Sequence, residues 1–251
     1  MHEMTERNVA LVNVGANSLH GSLRSPIFKD HTFEFVPIPD PILKMTRARE
    51  GIRYKDLKPL NGFKYEEFIP PRYLNEFVHA DPEFRGFTYG DYPDHSPRAS
   101  NLRKLSAGDF LLFFSRLVPW VDGRYLNRAG FYFIGYFEID SIFKRITRRP
   151  NKTTLRQIQE NAHIIRGRCD ALLYDGFWII KGTRKSKRFR KAIPLNRKTV
   201  ERLGLVDRIG YEWKWSKFSC DNAAIGSYLR SVKVLNWDRI SSVLRIRDYC
   251  W

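Results

Sequence analysis

A short apolar run near the N-terminus gives the first hydrophobic pattern of the chain. Residues 8–15, NVALVNVG, are mostly apolar and end in glycine, which predicts a buried strand that enters a tight turn. Residues 16–28 are rich in Ser, Asn and Gly and predict a loop. Phe33, Phe35 and Ile38 then alternate with other residues, which predicts a second strand that the neighbouring prolines end.

The strongest hydrophobic pattern lies in the middle of the chain. The apolar run Phe110–Phe114 is followed by a turn around Asp122-Gly123 and then by a longer apolar run over residues 130–143. We interpret the second run as a pair of strands. Together the runs predict a β-meander within a small barrel or a strongly bent sheet.

Helical and strand-like patterns both continue after this meander. Residues 152–161 predict a helix with a cap at Thr153 or Thr154. A further hairpin is predicted with its turn at Asp175-Gly176. The fold class is therefore expected to be α+β, with a strongly bent mixed sheet or a small β-barrel and flanking helices.

The charge is distributed unevenly along the 251 residues. Residues 1–140 contain 18 Lys and Arg against 18 Asp and Glu, whereas residues 141–251 contain 26 against 9, so the whole net charge of +17 lies in the second segment. With no repeat or linker, we expect one compact unit over residues 1–251, either undivided or made of two packed halves with this boundary. Segregated positive charge is typical of proteins that hold phosphates, although a generally basic surface is the alternative.

One basic stretch concentrates this charge. Seven of the eleven residues Lys181–Lys191 are Lys or Arg, and the stretch follows an apolar strand at residues 177–180. Lys and Arg supply charge, Ser and Thr supply short-range hydrogen-bond donors, and Gly lets the backbone approach a phosphate closely. A solvated loop or a localisation signal is the alternative. The predicted phosphate-binding residues are Lys181, Arg184, Lys185, Ser186, Lys187, Arg188 and Arg190.

Aromatic and charged residues alternate in the segment YEWKWSKF, residues 211–218. On a strand, Tyr211, Trp213 and Trp215 would share one face. That face could stack on unpaired bases or pack in the core. We favour the core, since it is the commoner position of such Trp residues.

Three histidines, His20, His79 and His163, occur in polar motifs. With Asp81 and Asp91, they form a candidate set of acid–base or metal-binding groups. Their spacing matches no metal motif, so the metal and any cofactor stay open, and isolated structural histidines are the alternative. The candidate ligand-binding residues from the same polar segments are Asn17, Ser22, Arg24, Tyr89 and Asn161.

Several functional classes lack their sequence signals. The chain contains no P-loop, no Gly-x-Gly-x-x-Gly and no Gly-x-Ser-x-Gly motif. The apolar runs are too short to span a bilayer, no basic amphipathic helix favours a membrane surface, and the N-terminus is not that of a signal peptide. Three distant cysteines without zinc spacing predict buried free thiols in a reducing compartment, so we expect a cytoplasmic protein without a membrane partner.

The order of the motifs resembles a known family. The segments that carry the resemblance are VNVGANSLHGSLRSPIFKDHTFEFVPIPD, VHADPEFRGFTYGD, NLRKLSAGDFLLFF, GFYFIGYFEID, ENAHI and IIKGTRKSKRFRKAIPL, which span roughly residues 8–195. They are similar to the third of the nucleotide-modification-associated domain families, found in prokaryotes and viruses. The positions that match its recurrent motifs are Asn17, His20, Gly21, Ser22, Pro26, Phe28, His79, Asp81, Thr88, Tyr89, Gly90, Asp91, Gly108, Asp109, Asn161, His163, Gly182 and Ser186.

The resemblance implies a role in making or handling modified DNA bases. The pair LSAGDFLLFF and FYFIGYFEID also resembles strands of PUA-like domains of the ASCH/EVE group, which are small barrels that bind modified bases or RNA. For the fold this implies a small PUA-like β-barrel as the alternative to a bent mixed sheet.

Three hypotheses for the function follow. The favoured one is a nucleic-acid-binding protein of the modification-associated family, with DNA favoured over RNA, which holds phosphates with its basic half and a base in a polar pocket. The second is an enzyme that acts on a nucleotide or DNA base, and it requires the His and Asp candidates to meet in one cleft. A weaker third is a structural protein associated with RNA or the ribosome.

Overall fold

The computed structural model describes residues 7–17, 19–46, 50–207, 209–230 and 233–250. Within these ranges the strands are β1 Asn8–Val14, β2 Ser25–Ile27, β3 Ile38–Pro39, β4 Val78–His79, β5 Thr88–Asp91, β6 Phe110–Val121, β7 Arg124–Tyr125, β8 Gly130–Ile146, β9 Phe177–Gly182, β10 Lys187–Leu195 and β11 Lys233–Asn236. The helices are α1 Pro41–Met45, α2 Lys152–Ile158, α3 Ala162–Cys169, α4 Arg197–Leu203, α5 Asp221–Tyr228 and α6 Trp237–Leu244. The predicted α+β class is confirmed.

Nine of these strands form one mixed sheet. Its main path runs β11-β1-β6-β8-β9-β5, with β10 paired to β8 and with β2 and β7 paired to β6. β1 runs parallel to β6, whereas the pairs β6–β8, β8–β9 and β9–β5 are antiparallel. The path ends at β11 and β5 without closing, so the prediction of a mixed sheet is confirmed and the PUA-like barrel is not.

The predicted meander is present, but its second half differs from the prediction. β6 pairs antiparallel with β8, and Leu112 faces Tyr136 in the register. β8 is a single strand of 17 residues rather than two strands, because its second half leaves β6 and pairs with β9. Of the strand predicted from Phe33 to Ile38, only Ile38 lies in a strand, the two-residue β3.

Two local predictions between residues 150 and 177 were wrong. α2 is capped by Asn151, whose side chain accepts a hydrogen bond from the backbone of Thr154, and not by either threonine. Asn151 has extended backbone angles, which a capping residue adopts and a residue inside the helix cannot. Residues 171–173 form a short 3₁₀ turn, so Asp175-Gly176 connects this turn to β9 instead of joining two strands.

The aromatic segment at residues 211–218 is not a strand. Residues 215–217 form a 3₁₀ turn, which breaks the alternation that the strand prediction requires. Trp213 is buried and stacks on Tyr228, as the core hypothesis expects, whereas Tyr211 is exposed. The three cysteines are free, but Cys220 is exposed and the other two are half-buried, so the prediction of buried thiols was wrong.

Three hydrophobic clusters hold the sheet and its cover together. The largest joins β1, β6 and β8 to α4, α5 and α6, and the first six residues of β6 are buried in succession, as expected of an interior strand covered on both faces. A second cluster packs the segment between residues 50 and 78 against the loop after β1. The third includes Ile164 of α3 and Phe177 of β9 and therefore fixes α3 against the sheet. No helix in the described ranges has the length and apolar character needed to cross a membrane.

Candidate functional site

Polar residues from distant parts of the chain meet around one cavity at the C-terminal end of β1. The cavity has a volume of about 380 Å³. The end of β1, the segment from β4 to β5 and the first turns of α3 supply its walls. Its lining residues are Asn13, Val14, Gly15, Asn17, His20, Ile38, His79, Asp81, Tyr89, Gly90, Asp91, Tyr92, His163 and Arg166.

Two histidines and one aspartate form a compact cluster on the wall of this cavity. Asp81 Oδ2 lies 3.4 Å from Nε2 of His163 and 3.8 Å from Nε2 of His79. The two imidazole rings are 4.8 Å apart and nearly perpendicular. One potential ligand atom from each of the three residues lies within 4.8 Å of the others, which is the spacing of groups that can hold one metal ion. All three side chains are at most 10% exposed.

His79 is oriented by a buried carboxylate on its far side. Its Nδ1 lies 3.3 Å from Oδ2 of Asp40, which also accepts a hydrogen bond of 2.8 Å from Nε of Arg166. Burial would raise the pKa of Asp40, but the hydrogen bonds from His79 and Arg166 outweigh it and lower the pKa to about 2. The ionised Asp40 therefore accepts the Nδ1 proton, and Nε2 directs its lone pair towards Asp81.

His163 is held in the same way by a tyrosine. The Tyr92 hydroxyl donates to Oδ2 of Asp175 at 3.2 Å, so its oxygen is the acceptor for Nδ1 of His163 at 3.3 Å. This arrangement leaves Nε2 of His163 unprotonated towards Asp81. Burial lowers the pKa of His163 to about 4 and also lowers that of His79, so both imidazoles are neutral at pH 7 and able to act as ligands.

Asp81 is anchored by the backbone of Gly90, whose N–H group lies 3.0 Å from Oδ1 and 2.8 Å from Oδ2. A Cβ atom at residue 90 would overlap the His163 ring and approach Asp81 Oδ2 to 3.0 Å, so the close approach requires glycine. Burial raises the pKa of Asp81 to about 8. A bound cation would reverse this effect and keep the carboxylate ionised.

The predicted residue Asn161 serves the cluster without lining the cavity. It caps α3, because its Oδ1 accepts the backbone N–H of His163 at 3.0 Å. Its Nδ2 also donates to Thr88 Oγ1 at 3.3 Å, and the whole side chain is buried. Asn161 therefore positions His163 and is not available to a ligand.

Other predicted site residues line the same cavity outside the cluster. Asn17 and His20 lie on one wall, where the Asn17 N–H donates to Nδ1 of His20 at 3.1 Å. Tyr89 and Asp91 lie on another, and the Tyr89 hydroxyl donates to Oδ2 of Asp91 at 2.7 Å. These four residues are in place to contact a ligand beside the cluster.

Ser22 and Arg24 are not part of the cavity lining. NH1 of Arg24 donates to the carbonyls of Gly21 and Leu23, so the guanidinium stabilises the loop that contains it. Ser22 Oγ accepts a hydrogen bond from Arg72 at 2.8 Å. Both side chains are occupied in local structure.

The basic stretch after β9 is not one uniform surface. Nζ of Lys181 donates to the carbonyl of Gly86, and the buried Ser186 Oγ accepts the backbone N–H of Glu138. Arg188 forms an ion pair of 3.0 Å with Glu34 and is only 13% exposed. These three side chains are therefore used within the fold, although Lys181 belongs to β9, Ser186 to the β9–β10 turn and Arg188 to β10. The other predicted phosphate-binding residues, which are exposed or half-buried, are Arg184, Lys185, Lys187 and Arg190.

Four residues that support the site were not among the predicted site residues, namely Asp40, Tyr92, Arg166 and Asp175. Asp40 directly precedes Pro41, a sequence signal for a helix cap, and it does accept hydrogen bonds from Ile42 N and Leu43 N. Arg166 follows His163 by three positions, which places both on one face of a helix. These local signals were available, but the contacts of Asp40 with His79 and Arg166 depend on tertiary structure.

The fold and the site thus define a mixed α+β protein with a buried His–Asp–His cluster in an open cavity. Residues 8–222 match the model of the family described as nucleotide modification associated domain 3, and the chain belongs to this family. No curated protein and no solved structure gives a significant match.

Proposed function

We propose that this protein is an enzyme that modifies a base of a nucleotide or nucleic acid at a single divalent metal ion held by His79, Asp81 and His163. The observation that carries the proposal is the convergence of the three ligand atoms within 4.8 Å on the wall of a cavity. Membership of the nucleotide-modification-associated family supports a role in nucleotide or DNA modification.

The chemistry of the cluster fits a catalytic metal site. Two imidazoles and one carboxylate are a ligand set of catalytic zinc and of non-haem iron, and both leave coordination positions open for water or substrate. The contacts of His79 with Asp40 and of His163 with Tyr92 resemble the outer hydrogen bonds that orient metal-binding histidines. A bound metal would polarise a substrate group or activate a water molecule beside the target base.

The dimensions of the cavity suit one base. A volume of about 380 Å³ falls in the range of small-molecule sites and is too small for a base pair within a duplex. A base in a nucleic acid would therefore enter unpaired or flipped out of its stack. Asn17, His20, Tyr89 and Asp91 supply donors and acceptors at the wall for its polar edge.

Arg166 adds a cation to the same cavity. Its Nε donates a hydrogen bond to Asp40, while its terminal NH groups have no hydrogen-bond partner among the described residues. A guanidinium in this position suits a phosphate of the nucleotide that carries the base. Together with the positive charge of residues 141–251, this favours a nucleic acid or nucleotide as the partner, with DNA as the favoured polymer.

A nucleic-acid-binding protein without catalytic activity is the second candidate. The observation that favours it is that the cluster can be satisfied without an ion, because burial raises the pKa of Asp81 to about 8, and a protonated Asp81 can donate to Nε2 of His163 at 3.4 Å while it accepts the Gly90 N–H. In that case the cavity would hold a modified base, and exposed cations such as Arg184 and Lys185 would hold phosphates.

Metal stoichiometry distinguishes the two candidates. The purified protein, reloaded separately with Zn²⁺, Mn²⁺ and Fe²⁺ and desalted, is expected to retain about one equivalent of one of these ions by plasma mass spectrometry. Asp81→Asn and His163→Ala should lose it, while His20→Ala, which removes an imidazole from the same cavity but outside the cluster, should keep it. Substoichiometric metal in the wild type, or full retention in Asp81→Asn and His163→Ala, would favour the binding protein.

A further inference from the structure

A second concave surface that is rich in basic residues lies at the end of β8. It is a groove of about 900 Å³ formed by residues 142–151 and Thr154. Lys144, Arg145, Arg148 and Arg149 line it and are exposed, and its lining contains no acidic residue. We call this surface the β8 groove.

Most of the positive charge in the β8 groove is not neutralised. Arg145 pairs with Asp94 at 2.8 Å, whereas Lys144, Arg148 and Arg149 form no ion pair with any described residue. Clustered like charges repel one another, and a bound anion relieves this repulsion. A cavity of about 610 Å³ between β6 and α6 differs in this respect, because three acidic residues accompany its four basic ones.

One residue of β9 connects the β8 groove with the metal cavity. Phe177 is paired with Ile146, which lines the groove, and its ring lies 5.0 Å from the ring of His163, which lines the cavity. The Lys144 ammonium lies 5.0 Å from the Trp178 ring, and Trp178 Nε1 and Arg145 Nε both donate to Asp94. The groove residue Ile146 and the cavity residue His163 are thus separated by one strand spacing of about 4.8 Å and one ring contact of 5.0 Å, roughly 10 Å in all.

We propose that the β8 groove binds the phosphate backbone of a single nucleic-acid strand whose target base occupies the metal cavity. Successive nucleotides of a stacked strand are about 3.4 Å apart, so three of them cover the roughly 10 Å between the cavity and the groove. Phosphates about three nucleotides from the target base therefore reach the groove. This inference rests on the proposed function and deepens it, since it makes the substrate a base within a polynucleotide rather than a free nucleotide. It also assigns phosphate binding to a surface other than Arg184–Arg190.

Charge reversal at two matched surfaces tests this assignment. Arg148→Glu with Arg149→Glu changes the β8 groove, and Arg184→Glu with Lys185→Glu changes the β9–β10 turn by the same net charge. Arg145 is left intact because its pair with Asp94 is structural. Fluorescence anisotropy with a labelled single-stranded 12-mer DNA is measured from about 50 to 200 mM salt, the range over which phosphate contacts dominate the affinity.

The groove variant is expected to bind about tenfold more weakly or worse, with a salt slope reduced by about 1.4 for two lost phosphate contacts. The turn variant should stay within about twofold of the wild type. An unchanged affinity in the groove variant, or equal losses in both variants, would overturn the assignment. Arg148→Gln with Arg149→Gln serves as a milder variant if the reversal disturbs folding, and circular dichroism checks each protein.

Metal content, measured on the same proteins, separates the two proposals. If the wild type holds one metal ion but does not bind the strand, the groove inference fails while the proposed function stands with a free nucleotide as substrate. If the strand binds through the groove but no metal is retained, phosphate binding by the groove is upheld and the metal-dependent function fails.

Discussion

Oδ2 of the buried Asp40 lies 3.3 Å from Nδ1 of His79, and Nε2 of the same ring points to Asp81. The carboxylate thus fixes both the ring orientation and the tautomer that a metal ligand requires. This relationship links the cap of a short helix to the centre of the candidate site.

Asp40→Asn should weaken metal binding about 10- to 100-fold, because an amide is a poorer acceptor for the Nδ1 proton and no longer compensates Arg166. The Asn side chain can still cap α1 through Ile42 N and Leu43 N, so the fold should be retained. Calorimetric titration with Zn²⁺ measures the change. Unaltered metal affinity in a folded Asp40→Asn protein would show that Asp40 has only a structural role.

Gly90→Ala should disrupt the cluster without any change in its ligands. The added methyl group overlaps the His163 ring, so His163 or Asp81 must move and the metal affinity should fall. Gly226→Ala, in helix α5, is the matched control. A Cβ atom at residue 226 would meet only the Phe131 ring, at an ordinary contact distance of 3.6 Å or more. Metal titration and thermal unfolding of both variants test this, and full metal binding by Gly90→Ala would contradict the described geometry.

Arg188→Ala should destabilise the protein by about 3 kcal/mol, because it leaves Glu34 buried without its cationic partner. Glu34 keeps hydrogen bonds from Leu60 and Asn61, which limits the loss. Lys185→Ala, at a side chain 81% exposed, should change the free energy of unfolding by less than about 0.5 kcal/mol. Urea unfolding of both variants gives the comparison, and similar stabilities would mean that Arg188 is not the structural residue described above.

Asp109, one of the positions predicted to match a recurrent motif, has structural contacts at both carboxylate oxygens. Its Oδ1 accepts the backbone N–H of Asn8 at 2.8 Å, and its Oδ2 accepts that of Ser106 at 2.8 Å, which ties the start of β1 to the turn before β6. Asp109→Ala should cost about 2 kcal/mol of stability and leave metal stoichiometry at the wild-type value. Loss of metal from a folded Asp109→Ala protein would instead connect this turn to the site.

Local patterns predicted the centre of the sheet but not its edges. The apolar runs at Asn8–Val14 and Phe110–Phe114 are buried on both faces, so hydrophobicity alone identifies them as strands. The path of β8 was missed because its second half pairs with β9, a partner more than thirty residues further along the chain. Such a pairing leaves no local signal in either strand.

The candidate site was predicted in its members rather than in its arrangement. His79, Asp81 and His163 stood out because each lies in a polar motif, but their separation in sequence gives no metal signature. In the basic stretch the phosphate-binding role was predicted for side chains that the fold itself uses. A run of charges does not reveal which of its side chains form contacts inside the protein, as Arg188 does with Glu34. The β8 groove was overlooked because its cations are spread over the end of a strand and the following connection.

Anomalous X-ray diffraction from crystals loaded with one equivalent of Zn²⁺ or Mn²⁺ tests whether His79, Asp81 and His163 hold a metal ion. We expect one strong anomalous peak about 2.0–2.2 Å from Nε2 of His79, Nε2 of His163 and a carboxylate oxygen of Asp81. A peak only at other residues, or no peak in the cavity at full loading, would contradict a metal centre at this cluster.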